Sequence, residues 1–354
     1  MKKCYINGVG CVSAQKTFGA GFPDEIIAND GNNILEVSQP DYKEYIAPAA
    51  GRRMAKGVKN GIVASAMALK EAGIDQPDAI ITGTGMGCII DSEKFLKAII
   101  DNKEEFLTPT SFIQSTHNTV GGQIALGLQC KAYNFTYVNG AVSFESALID
   151  AQLQIEEGEA NSVLAGGVEE TGEATMQFLE VNGKIKGKNT GPFKVLDSHT
   201  KGAVFSEGAV FFVLSDNKQE TTYAELKDVA IYNTLKKEEA ETKLKDFLSA
   251  NSLEFSDIDA VVLGYNGDAE FDGYYKQLAD SAFSETSQLY YKHLSGEFNT
   301  ASAFGLWLAS QVIKRQEVPA AVLINAVTKK EYKNIVLYNQ YQGKDHSFTL
   351  VSKC

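Results

Sequence analysis

Apolar strand runs alternate with helical patterns along almost the whole of this chain, and that alternation leaves few folds open. Residues 79–83 are apolar and lead into a Gly-rich turn that ends at Gly87. Residues 133–138 alternate Tyr133, Phe135 and Tyr137 with other side chains, the period-2 signature of a strand. Asn139 and Gly140 supply a turn, and Phe144, Ala147, Leu148, Ala151 and Ile155 then recur at helical spacing until Gly158. Residues 162–167, 204–214 and 258–264 are further strand runs. Met54, Val58, Ile62, Ala66 and Leu69 mark a helix over 52–72 that Gly73 closes. In the second half, Leu244, Phe247 and Leu248 mark one helix, and Phe304, Leu308, Val312 and Ile313 another. Strands are expected at 320–324, 335–338 and 347–351. The pattern predicts an α/β protein whose sheets are covered by helices. A polar stretch near 215–222 divides it into halves, 1–216 and 217–354.

With 354 residues the chain fits one large or two fused domains. Its net charge of −12 argues against a general nucleic-acid binder. Two basic clusters, Arg52, Arg53, Lys56 and Lys59, and Lys184, Lys186 and Lys188, are expected to be solvated. The five cysteines lie far apart, in a spacing that fits neither a zinc site nor a disulfide framework. A reducing, cytoplasmic setting follows, and neither a metal nor another cofactor is expected. Residues 1–10 read as a first buried strand and Gly turn rather than a signal peptide. No stretch approaches the length of a membrane span.

The junction at 133–158 carries the chemistry. A side chain at a strand-to-helix tip sits beside helix N–H groups and the positive end of the helix dipole. Enzymes place Ser or Cys there as a nucleophile. Here the tip residue is Ala141, and a methyl group cannot attack a carbonyl.

The order of these pieces resembles the β-ketoacyl synthases, thiolase-fold enzymes that condense acyl chains on acyl carrier protein. Ile6–Ser13 is similar to the family's opening strand and turn, and Gly51–Met54 leads into its first long helix. Thr82–Gly87, Gly121–Ala125, Leu164–Glu169 and Ser206–Ala209 match in the same order. The resemblance implies a five-layer αβαβα architecture with two pseudo-duplicated halves, assembled as a dimer. It also implies a catalytic cysteine at the elbow, which carries the acyl chain as a thioester, and two histidines that stabilise developing charge. All three positions depart from that pattern. Ala141 replaces the cysteine. Asn266, in Gly264–Asp268, stands where the first histidine belongs. Glu297, in Lys292–Glu297, stands for the second, while Lys292, Ser295 and Gly296 are kept. The family's C-terminal gating loop is altered to Asn339–Asp345, with Gly343 inside it.

The resemblance therefore implies a chain-length-factor-like subunit that shapes an acyl tunnel. Its partners would be acyl carrier protein and an active synthase in a heterodimer, or a second copy of itself. A divergent decarboxylase, hydrolase or acyltransferase using Glu297, Asn266 or Ser143 is the alternative. Ser143 is expected to satisfy N–H groups in the first helical turn, and Glu297 to pair with Lys292. His117, near the expected interface and tunnel, and Phe144 are further pocket candidates. His293 is expected to be a surface or interface histidine. Cys88 and Cys130 are not at strand-to-helix tips.

Overall fold

The structure, a computed structural model, describes residues 2–19, 21–188 and 193–354. Ten strands form one hydrogen-bonded ladder in the order β3-β2-β4-β5-β1-β6-β10-β9-β7-β8. In the first half these are β1 (Cys4–Val12), β2 (Ala79–Gly83), β3 (Tyr133–Tyr137), β4 (Ser162–Glu169) and β5 (Gly208–Ser215). In the second half they are β6 (Ala224–Asn233), β7 (Ala260–Leu263), β8 (Ser287–Tyr290), β9 (Asn334–Tyr341) and β10 (Asp345–Ser352).

The duplication is visible in the topology. Taken in chain order, the first half runs third, second, fourth, fifth, first across the sheet, and the second half repeats that order from the opposite edge. Directions match as well. β2 is parallel to β3 and β4, as β7 is to β8 and β9. The closing strands β5 and β10 run antiparallel to their neighbours in both halves. The halves meet where β1 pairs with β6 through Cys4–Leu226, Tyr5–Glu225 and Ile6–Ala224.

Alternation along the strands sorts side chains into layers. Ala79 and Ile81, Val210 and Phe212, Ala260 and Val262, and Ile335 and Leu337 all point into one central core. That core encloses two helices, Ser143–Glu156 and Ser302–Arg315. On the outer face of the first half, Ile80, Phe211 and Val213 pack under the helices Lys56–Ala72 and Thr119–Leu128. On the outer face of the second half, Val261, Leu263 and Val336 pack under Lys237–Ala250 and Gly273–Asp280. Helix, sheet, helix, sheet, helix is the five-layer arrangement the resemblance implies.

Two segments differ from the sequence expectation. Residues 320–324 hold a single turn of 3-10 helix, Ala320–Val322, entered from Pro319, with one bridge from Leu323 to Leu289. Residues 204–207 are extended but lie outside the main ladder, because Val204 and Ser206 bond the backbone of Glu297 instead. Among the described residues no helix is long and apolar enough to cross a membrane.

Candidate functional site

β3 ends at Tyr137, and the chain turns through Asn139 and a short 3-10 turn, Gly140–Val142, into the first central helix. Gly140 has φ +54°, a left-handed conformation that glycine adopts without penalty. Gly83, at the end of β2, lets that strand abut the helix start, since a Cβ there would lie 2.4 Å from the Ser143 carbonyl oxygen. Ala141 is thereby held at the tip, 3% exposed. Ser143 is committed to the turn: its Oγ accepts from the Asn139 N–H at 2.8 Å and donates to the Gly140 carbonyl at 2.7 Å.

Asn266, Lys292 and Glu297 come together in the second half. One carboxylate oxygen, Glu297 Oε2, accepts from Lys292 Nζ at 2.8 Å and from Asn266 Nδ2 at 2.6 Å. The Lys292 and Glu297 side chains are 1% and 2% exposed. The backbone fixes both ends of this set. Glu297 N–H donates to the Val204 carbonyl and its carbonyl accepts from Ser206. The Asn266 and Gly267 N–H groups donate to Asp272, whose carboxyl burial pushes up to about 7.

Ala141 bonds none of these three. Its N–H instead points at Asp345 Oδ2, 3.4 Å away. Burial, and then the carboxylates of Glu297, Asp268 and Asp345, raise the phenol of Tyr341. Tyr341 also lines a cavity of about 80 Å³ with Phe205, Phe298, Asn299, Met86 and Glu169.

The remaining candidates are scattered. His117 is exposed, beside Gly87. Phe144 packs on Phe212 in the central core at 1% exposure, which leaves it no open space to line. Gly343, at φ +65°, makes the β9–β10 turn, and a Cβ there would lie 2.8 Å from the Tyr274 hydroxyl. His293 is half-buried: it stacks on Tyr290 and its Nε2 meets the Ala321 carbonyl, and burial lowers it to about 4. Burial also raises the thiols of Cys4, Cys11 and Cys88, Cys11 to about 12, so none of these is a ready thiolate.

Sequence reasoning passed over Glu145 and misjudged Lys186. Glu145 is fully buried at the start of the first central helix, where its Oε1 accepts from Ser347 Oγ at 2.8 Å. Burial raises its carboxyl, against the pull of Ser302, Ser347 and Lys292. Lys186 is not solvated. Its Nζ is surrounded by Ser198 Oγ, Thr200 Oγ1 and the carbonyls of Thr200 and Gly267, and so ties the Asn266 loop to residues 198–200. Of the other cluster, Lys56 pairs with the buried Glu207, Lys59 sits over the Tyr42 ring, and Arg52 and Arg53 are exposed.

Known structures share this architecture. The ishigamide ketosynthase/chain length factor superposes with a TM-score of 0.78 at 16% sequence identity, over 100% of this chain and 99% of that one. A beta-ketoacyl synthase from Burkholderia phymatum STM815 gives 0.80 at 17% identity over 100% of both chains. The ketosynthase ApeO in complex with its chain length factor ApeC, from Xenorhabdus doucetiae, gives 0.74 at 14%, over 100% and 98%. At these identities the likeness establishes the fold. No curated protein sequence matches the chain. Residues 26–220, more than half of the sequence, match the family model for the beta-ketoacyl synthase N-terminal domain, and the chain belongs to that family.

Proposed function

We propose that this chain is a non-condensing member of its family, a chain-length-factor-like subunit that shapes an acyl tunnel beside an active ketosynthase in fatty-acid, polyketide or polyene-type biosynthesis. The observation that carries this reading is the state of the three positions that the family resemblance equates with its catalytic residues. Ala141 offers no nucleophile for an acyl-enzyme. Asn266 and Glu297, which stand where the resemblance puts the histidines, are bound to each other, and Glu297 is bound to Lys292 as well. An imidazole pair can stabilise an enolate; a carboxylate already paired with lysine cannot take that part.

The edge strand β3 supports the partner reading. The two edge strands, β3 and β8, are topological equivalents, yet they are finished differently. β8 is buried and bridged along its outer side by Leu323, with Ile324 N–H donating to the Gln288 carbonyl. β3 pairs only with β2 and leaves Tyr133 and Phe135 exposed. A bare aromatic edge strand invites pairing with another chain. Two of the similar structures are described as ketosynthases with a chain length factor, and a synthase with the same backbone is the partner that fits. Acyl carrier protein would deliver the acyl chain.

The competing reading is a decarboxylase, hydrolase or acyltransferase using Glu297, Asn266 or Ser143. Incubating the purified chain with acyl and malonyl thioesters of acyl carrier protein separates the two. The proposal expects no turnover and no added mass on the intact protein, and a mixed complex when a ketosynthase from the same gene neighbourhood is co-produced. Turnover by the chain alone, or an adduct on Ser143, would overturn it.

A further inference from the structure

Asp345 opens β10 and reaches back to the elbow. Its Oδ2 lies 3.4 Å from the Ala141 nitrogen and 3.2 Å from where a Cβ on Gly140 would stand. The register leaves it little choice. Asp345 pairs with Asn233 on one side and Tyr341 on the other. Ser347, two residues on and therefore on the same face, holds Glu145 of the first central helix. N–H groups leading into a 14-residue helix favour a negative charge. At a strand-to-helix tip they face the place where a thioester oxygen gains charge during attack.

We propose that Asp345 occupies this anion position with the chain's own carboxylate, so that the elbow is closed to thioester chemistry by a second change, independent of Ala141. This rests on the non-condensing reading above. Its consequence is specific: a thiol installed at position 141 meets a carboxylate where it would otherwise meet only N–H dipoles. Its thiolate is opposed, and an incoming anion is repelled.

Full-length Ala141→Cys and Ala141→Cys/Asp345→Asn, compared for alkylation of the new cysteine by peptide mass, test this. In the reaction the thiolate installed at position 141 displaces iodide from iodoacetamide or iodoacetate to form a thioether, and the thiol proton goes to solvent. With Asp345 present, alkylation should be slow at pH 7, and slower with anionic iodoacetate than with neutral iodoacetamide. Asp345→Asn should raise the iodoacetamide rate about tenfold, the effect of one unit in thiol pKa, and narrow the gap between reagents. Equal rates in single and double variants would overturn the proposal. If the double variant does not fold, Ala141→Cys/Asp345→Ser takes its place: a thiol pH profile that moves down relative to Ala141→Cys supports the proposal, and one that stays where burial alone sets it refutes it. Failure of the non-condensing reading would show separately, as turnover by the unmodified chain.

Discussion

Lys292 and Glu297 form a fully buried ion pair and are therefore sensitive to change. A buried ion pair is a weak source of stability, but removing one partner leaves a charge without compensation. Glu297 Oε2 keeps only the Asn266 amide once Lys292 is gone. Lys292→Met should therefore cost about 3–5 kcal/mol. Lys292→Met/Glu297→Gln should recover most of that loss, because no ion is then left buried. Denaturant unfolding of the two variants measures both numbers. If the single substitution costs less than about 1 kcal/mol, the pair is more hydrated than its geometry says, and Glu297 becomes available for proton transfer. The same comparison bears on function, since a Glu297 freed of Lys292 is the group the competing enzyme reading needs.

At the scale of elements, the period of the sequence reported those whose faces are buried. The two central helices, the outer helices Lys56–Ala72 and Lys237–Ala250, and β1, β2, β4, β5, β7, β9 and β10 bury regular apolar faces, and their patterns were legible; the helix Gly273–Asp280 and the strands β6 and β8 were not expected, while the largely exposed β3 was legible from its alternation. The helix Ile89–Asp101 was not, because Leu96 and Ile100 stay exposed and its pattern points at no core of this chain. The run 320–324 is as apolar as a strand, yet Pro319 and a single bridge make it a cover for β8. Ala141, Asn266, Lys292 and Glu297 stand out in the sequence because each falls in a motif of fixed order, and the structure brings the last three together. Glu145 and Asp345 do not stand out, because each acquires its meaning from a partner more than 200 residues away. The uncovered edge at β3 carries its own prediction. Phe135→Lys puts a charge in the middle of an exposed aromatic strand whose fold depends little on that side chain. The wild-type chain should be a dimer at micromolar concentration by light scattering. The variant should be a monomer with a nearly unchanged melting temperature. A variant that stays dimeric would move the interface away from β3.

For the molecule as a whole, the repeated topology raises the question of whether the halves are separate folding units. Each half has an outer core of its own under its own helices. The central core, however, is common property. Phe144 and Phe212 of the first half and Phe304 and Trp307 of the second belong to one buried cluster. The two halves of the ladder press their inner faces on the same pair of helices, so neither half can lose the other without exposing its own inner face to water. The direct strand pairing between halves is short, three residue pairs, and would not hold them together by itself. The central layer does. Unfolding should then be a single cooperative transition. Trp307, the chain's only tryptophan, sits in that layer at 2% exposure, so its fluorescence reports the shared core while far-UV circular dichroism reports all the elements. The two probes should give coincident denaturant curves, and residues 1–216 produced alone should show no sharp transition. Separated curves, or a fragment that melts cooperatively, would make the halves independent domains. The central helices would then be an interface between them rather than the core that both require.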